Sequence, residues 1–290
     1  SPLPSNFSAP TISSIVLENI LKSTVSKPEI AVRVNTIKIT SDDLIKRLEE
    51  EGITAEKHIM SENCLILNNS GAIEKHESFK NGLFHVQDMS SQLCCAVLNP
   101  SETDIVLDLC AAPRRKSFTL AELMNNKGTI YSCDLHDKRV NLIKSGAERL
   151  GITNIKFLTN NAKEYNPELP LADKILCDVP CAGLGVISKK PEIKYKNKDE
   201  LASLPKIQYE ILQTASKYLK IGGELVYSTC SLNKEENDDV IDAFLSENKN
   251  YEGVTFLEDI KKSSDGYKMT IFPDDFNSDG FFISKIRRIK

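Results

Sequence analysis

From residue 104 onward the chain alternates short apolar segments with amphipathic ones, and this alternation constrains the fold more than any other feature. DIVLDLC (104–110), GTIYSCDL (128–135), NIKFLTN (154–160), ADKILCDV (172–179) and GELVYSTC (223–230) have strand length and strand composition. Between them KSFTLAELMNN, HDKRVNLIKSGAERLG and DELASLPKIQYEILQTASKYLKIGG are patterned as helices. In the second, Val140, Ile143, Ala147 and Leu150 fall at helical spacing and Gly151 closes the helix. Pro205 predicts that the first turn or two of the third form a separate piece. Repeated β-α units with mostly apolar strands predict an α/β fold, a parallel sheet with helices on both faces. A last pair, YKMTIFP and FFISKIRR, reads as two antiparallel strands joined by DDFNSDG.

The preceding part has a different texture. A loop and a short helix (SIVLENILKS) are expected within residues 1–22, then a strand AVRVNTIKI (31–39) with Val32, Val34, Ile37 and Ile39 as its apolar members. Ser41-Asp42-Asp43 reads as the N-cap and acidic first turn of a helix that Gly52 ends. HIMSENCLILNNS and NGLFHVQD supply further strands, and SSQLCCAVLNP reads as a helix stopped at Pro100. The division expected is a small α+β domain over residues 1–85 and a larger α/β domain over 86–290.

Composition narrows the function classes. Thirty-seven basic residues against 41 acidic ones give a net charge of −4, which excludes a uniformly basic nucleic-acid binder but leaves local basic patches open. No apolar run approaches the ~20 residues of a membrane helix, and SPLPSNFSAP has neither the basic nor the apolar region of a signal peptide. Eight cysteines in 290 residues are too sparse for a disulfide scaffold and form no zinc-ligand spacing. Free thiols in a reducing cytoplasm, no metal, no membrane and a monomer are the expectations.

Ligands of doubly wound sheets bind outside the carboxyl ends of the strands. Here those ends read DLC-AAP, CD-L, CDVPC and STCS, so acids and thiols gather on one edge. Asp134, 24 positions after Cys110, can accept the ribose hydroxyls of an adenosine cofactor; an ordinary turn aspartate is the plainer alternative. Asn161 can reach an adenine edge or simply form a turn. In the loop CAAPRRKS, Ala111 and Ala112 let a ligand approach the backbone and Pro113 stiffens the turn. Arg114 and Arg115 stand where a cofactor loop normally wants glycine. Cys181 and Cys230 lie just beyond strand ends, beside Asp178, where a reactive thiol is more at home than a packing one. Lys189, Lys190, Lys194, Lys196 and Lys198 follow around Tyr195, a solvated run or a phosphate contact.

The segments KPEIAVRVNTIKIT, FHVQDMSSQL, VLDLCAAPRRKS, DVPCAGLGVISKKPEIKY, LVYSTCSLNKEEN and DGFFISKIRR occur in order from about residue 28 to 288. In these the chain resembles the bacterial branch of the NOL/NOP/Sun family of RNA cytosine-5 methyltransferases. The resemblance implies a Rossmann-like domain that binds S-adenosyl-L-methionine, preceded by a small RNA-binding domain, with ribosomal RNA as partner. It also implies a helical NusB-like N-terminal domain that this sequence lacks. By motif match Cys230 is the nucleophile, Cys181 assists release, and Asp178 serves at the junction of cofactor and base. Cys110, Ala111, Ala112, Pro113, Arg114, Arg115, Lys116, Asp134 and Asn161 would line the cofactor, Asn161 replacing the family's usual aspartate. Arg33, Asn35, Lys189, Lys190 and Lys194 are expected on RNA. Transfer-RNA enzymes share these motifs and are the nearest alternative.

One departure is large. The family reads CAAPGGK where this chain reads CAAPRRK. A positive φ at either arginine costs about 1–3 kcal/mol, and steric loss plus repulsion of the sulfonium add to it. A net penalty of ~3 kcal/mol would weaken cofactor affinity about a hundredfold. Impaired cofactor binding, or an RNA-binding scaffold without catalysis, is therefore expected unless the arginines turn outward to RNA phosphate.

Overall fold

The computed structural model describes residues 29–112, 115–195, 197–257, 265–276 and 278–290, with no side-chain account of Lys194, Lys198 and Asp199. The expected helix SIVLENILKS, Pro113, Arg114 and Lys196 lie outside the described residues. In chain order the strands are β1 (Ile30–Val34), β2 (Thr54–His58), β3 (Ser61–Asn68), β4 (Phe84–Val86), β5 (Ile105–Asp108), β6 (Thr129–Asp134), β7 (Ile155–Thr159), β8 (Ala172–Asp178), β9 (Leu219–Thr229), β10 (Tyr251–Gly253), β11 (Lys268–Ile271) and β12 (Phe281–Arg288). The α-helices are α1 (Ser41–Glu50), α2 (Glu77–Lys80), α3 (Met89–Leu98), α4 (Lys116–Leu123), α5 (Asp137–Leu150), α6 (Lys198–Ser216) and α7 (Asp238–Glu247).

The first four strands form an antiparallel sheet in the order β2-β3-β1-β4. Its apolar face buries Val32, Val34, Leu65, Leu67 and Phe84 under Leu44 and Leu48 of α1. Thr40, not Ser41, caps that helix, accepting from the Asp43 amide. β1 stops at Val34 rather than running to Ile39. Asn35 turns the chain there, its Oδ1 accepting from the Ile37 amide and its carbonyl from the Lys38 amide. β2 is a polar edge strand, TAEKH, with no alternation to mark it in the sequence.

The second sheet has eight strands. Its path is β10-β12-β9-β8-β5-β6-β7, with β11 added beside β12. β7, β6, β5, β8 and β9 are parallel, whereas β12 runs antiparallel to β9, β10 and β11. The chain leaves β5 toward β6 and β7, then returns to β8 on the other side, so the topological switch point lies between β5 and β8. α6 is one continuous helix through Pro205, contrary to the expected break. Its buried Ile211, Leu212 and Ala215 pack with β8 and β9 residues, and this packing outweighs the hydrogen bond that proline removes.

Polar groups dock the small sheet onto the large one. The Asn35 amide donates to the carbonyls of Gly82 and Leu150, both at 2.8 Å, and is fully buried. Arg33 Nε donates to Glu122 Oε2 at 2.9 Å, and His85 Nε2 lies 3.2 Å from the other Glu122 oxygen. The expectation that Arg33 and Asn35 face RNA is thereby corrected. A buried cation or amide needs internal partners, and these two find theirs across the domain junction.

Candidate active site

The parallel strands end together on one edge, and two cavities open there. The first, about 450 Å³, lies outside the switch point and is lined by residues that include Cys110, Ala112, Asp134, Asn160, Asn161, Asp178, Pro180 and Cys181. Asp134 ends β6 and is 5% exposed. Its Oδ1 accepts from the His136 amide at 3.0 Å and its Oδ2 from the Ala112 amide at 3.2 Å. It is thus both a turn aspartate and the tether of the first β-α loop. Ala111 is buried and donates to the Cys133 carbonyl. Asn161 forms its own turn, accepting from the Lys163 amide and donating to Glu164. Its neighbour Asn160, not singled out from sequence, carries a buried amide nitrogen without a hydrogen-bond partner among the described residues. In an adenosine pocket such an orphaned donor has a use.

β8 and β9 pair in parallel with Asp178 opposite Ser228, so the loops that follow them run side by side. Cys181 and Cys230 meet there, sulfur to sulfur at 3.1 Å, with no disulfide bond between them. Cys181 faces the first cavity and Cys230 the second, so the pair stands at the wall between them. Gly185 fixes the approach of the flanking backbone. Its amide donates to the Cys230 carbonyl, its carbonyl accepts from Gly280, and any Cβ at Gly185 would collide with the Gly280 carbonyl. Sequence reasoning passed over Glu236, although its segment LNKEEN was in view. This buried carboxylate accepts from the Ala182 amide at 2.8 Å and from Ser231 Oγ at 2.6 Å, next to one cysteine in each loop. Gln208 also donates to it at 2.9 Å.

Asp178 is held from two sides. Lys116 Nζ lies 2.8 Å from its Oδ2 in a fully buried ion pair, and Ser228 Oγ donates to its Oδ1 at 2.9 Å. Lys116 also stands 4.9 Å from the centre of the Phe281 ring, which lines the second cavity. Below this pair, burial pushes Asp108 up to about 7, against the stabilising hydrogen bond from Ser117. Burial likewise pushes up the thiols of Cys64, Cys94, Cys95, Cys110, Cys133 and Cys177, so at neutral pH these six remain protonated.

The second cavity, about 410 Å³, lies where the two sheets meet. β1 and β4 contribute Ile30, Ala31 and Val86, and the larger domain contributes Cys230, Phe281, Lys189 and Lys190. Lys189 bridges Asp88 and Asp279, each at 2.8 Å. Arg115 has φ +58°, the left-handed region that glycine favours, so the expected strain is present at this position. Its half-buried side chain lines the second cavity and not the first. Lys194 sits in a short 3-10 helix, Pro191–Tyr195.

Among the described residues no group of His, Cys, Asp and Glu could hold a metal ion, and no helix is long and apolar enough to cross a membrane.

The sheet order, the cavity at its switch point and the small sheet in front define the class: a Rossmann-like methyltransferase domain joined to a ferredoxin-like one. The chain belongs to the 16S rRNA methyltransferase RsmB/F family, whose profile matches residues 95–287; the family's ferredoxin-like domain matches residues 16–74. The probable ribosomal RNA small subunit methyltransferase B of Bacillus subtilis is 40% identical over 93% of this chain and 62% of its own length. The corresponding protein of Proteus mirabilis is 33% identical over 93% and 62%. The crystal structure of a methyltransferase homolog from Pyrococcus horikoshii superposes with a TM-score of 0.81 at 31% identity, covering 93% of this chain and 90% of that one. The chain thus spans less than two thirds of the length of these curated relatives.

Proposed function

We propose that this chain transfers a methyl group from S-adenosyl-L-methionine to carbon 5 of a cytosine in small-subunit ribosomal RNA, through a covalent bond between Cys230 and carbon 6 of the base. The observation that carries this reading is the 3.1 Å pair of thiols at the wall between two cavities, one for each reactant.

The first cavity fits the cofactor. Asp134 offers a carboxylate for ribose hydroxyls, Asn160 and Asn161 offer amides for an adenine edge, and Pro180 and Ile211 supply apolar walls. The cofactor, when bound, supplies a methyl group on a positively charged sulfur. The second cavity takes the base, unstacked from its neighbours, beside Phe281.

Carbon 5 of cytosine is too weak a nucleophile to take a methyl group directly. Addition of the Cys230 thiolate to carbon 6 moves electron density onto carbon 5. Asp178, positioned by Lys116 and Ser228, acts here in its protonated form, donating its proton to base N3 as negative charge develops there and recovering it when the ring is restored. After transfer, carbon 5 carries both the methyl group and its original hydrogen. Cys181 assists removal of that proton, the bond to Cys230 breaks, and its electron pair returns to the sulfur. Weakened cofactor binding is not assigned to Arg115, whose side chain lies in the other cavity.

The test is transfer of a labelled methyl group to small-subunit RNA by the chain and by Cys230→Ala. Transfer by the chain, lost in the variant, supports the reading. Equally low transfer by both with tight RNA binding would instead favour an RNA-binding scaffold.

A further inference from the structure

We propose that Arg115 is a phosphate-binding residue of the second cavity, where with Lys190 it holds the backbone of the RNA next to the reacting nucleotide. This rests on the reading that RNA occupies that cavity.

Three observations point the same way. First, the guanidinium is half-buried yet has no carboxylate partner among the described residues, and its single hydrogen bond is a long one, 3.4 Å to the Val86 carbonyl. A cation withdrawn from water without a counter-ion is costly unless an anion arrives. Second, its surroundings add positive charge. Arg149 feels its repulsion, and the nearby carboxylate Glu122 is committed to Arg33 and His85, the latter held neutral by burial. Third, the residue holds a left-handed backbone that disfavours a long side chain such as arginine, and a strained position at a cavity wall is where a function is expected.

The cavity's other charges leave this role open. Asp88 and Asp279 are bridged by Lys189, and Asp88 also accepts from the Ser90 and Asp279 amides, so their charge is met within the wall. Glu29 is the remaining lining carboxylate. Lys190 is exposed and makes no ion pair among the described residues. Arginine suits the task because its planar fork matches two phosphate oxygens at once.

Salt-dependent binding tests this, with a single-stranded RNA oligonucleotide centred on cytidine. Arg115→Gln and Arg115→Gly should bind about tenfold more weakly at low salt. The slope of log affinity against log salt should fall by about 0.7, one phosphate contact, while Arg115→Lys keeps most of it. Inorganic phosphate should compete with the RNA less well in the two weakened variants than in the unaltered chain. S-adenosyl-L-methionine affinity should stay within about twofold in all three, as the cavity assignment requires. An unchanged slope in Arg115→Gln and Arg115→Gly, or a loss confined to cofactor affinity, overturns the inference alone. Failure of the unaltered chain to bind the RNA at low salt overturns the reading beneath it.

Discussion

Cys181 and Cys230 face one another at 3.1 Å although 49 positions separate them in the chain. The parallel pairing of β8 with β9 brings them together, and each thiol lines a different cavity. Their division of labour is testable. If Cys230 bonds the base and Cys181 releases it, Cys181→Ala should accumulate a protein–RNA adduct that survives denaturing electrophoresis. The double variant should form none. No adduct from Cys181→Ala, under conditions where the unaltered chain methylates, would remove the assigned roles.

Glu236 ties both cysteine loops through Ala182 and Ser231. Glu236→Ala leaves an amide, a hydroxyl and the Gln208 side chain without their acceptor in a buried setting, a loss of about 3 kcal/mol. Glu236→Gln keeps one acceptor and should fall between. Denaturant titration gives the stability. Methyl transfer by the folded fraction should drop more in Glu236→Ala than unfolding explains, because the sulfur pair loses its register.

Asp108 gives a pH dependence of stability. Burial raises its folded value from 3.8 to about 7, so between those limits the folded state keeps a proton that the unfolded state releases. Its contribution is therefore fully present below pH 4 and is lost as pH rises through 7, a change on the order of 2–4 kcal/mol. Asp108→Asn should flatten this part of the profile. Unfolding free energies of both proteins at pH 5 and pH 8 check it; an equal pH dependence would contradict it.

Asn35→Ala removes two buried hydrogen bonds, one within the small unit to Gly82 and one that crosses to Leu150 of the larger one. A loss of about 2–3 kcal/mol is expected from the stranded carbonyls of Gly82 and Leu150. Hydrogen exchange should rise at the junction, near residues 79–84 and 149–151, before it rises in β5 or β8.

The parallel strands were legible because burial on both faces makes their centres apolar, as in the Ile175-Leu176-Cys177 stretch of ADKILCDV. β2 was not, since an edge strand exposed on most of its length, TAEKH, carries no pattern. Cys181, Cys230 and Asp178 could be placed on one edge from strand ends alone. Arg33, Asn35 and Lys189 were misplaced or half-placed for one reason: each is a polar residue whose partner lies far along the chain. Arg33 finds Glu122, Asn35 finds Leu150, and Lys189 finds Asp88 and Asp279. Local sequence reports that such a residue is hydrophilic, and only the folded arrangement reports whether it meets water or another charge. Arg115 belongs with them, because a sequence shows that glycine is missing but not which way the replacement points.

The second cavity borrows part of its lining, Ile30, Ala31 and Val86, from β1 and β4 of the small sheet. On the proposed assignment of the two cavities, severing the polypeptide near residue 88 would therefore leave a larger fragment that retains the methyl-donor chamber but only a roofless stall for the nucleobase. Such a fragment would still recognise the small molecule while losing its grip on the nucleic acid.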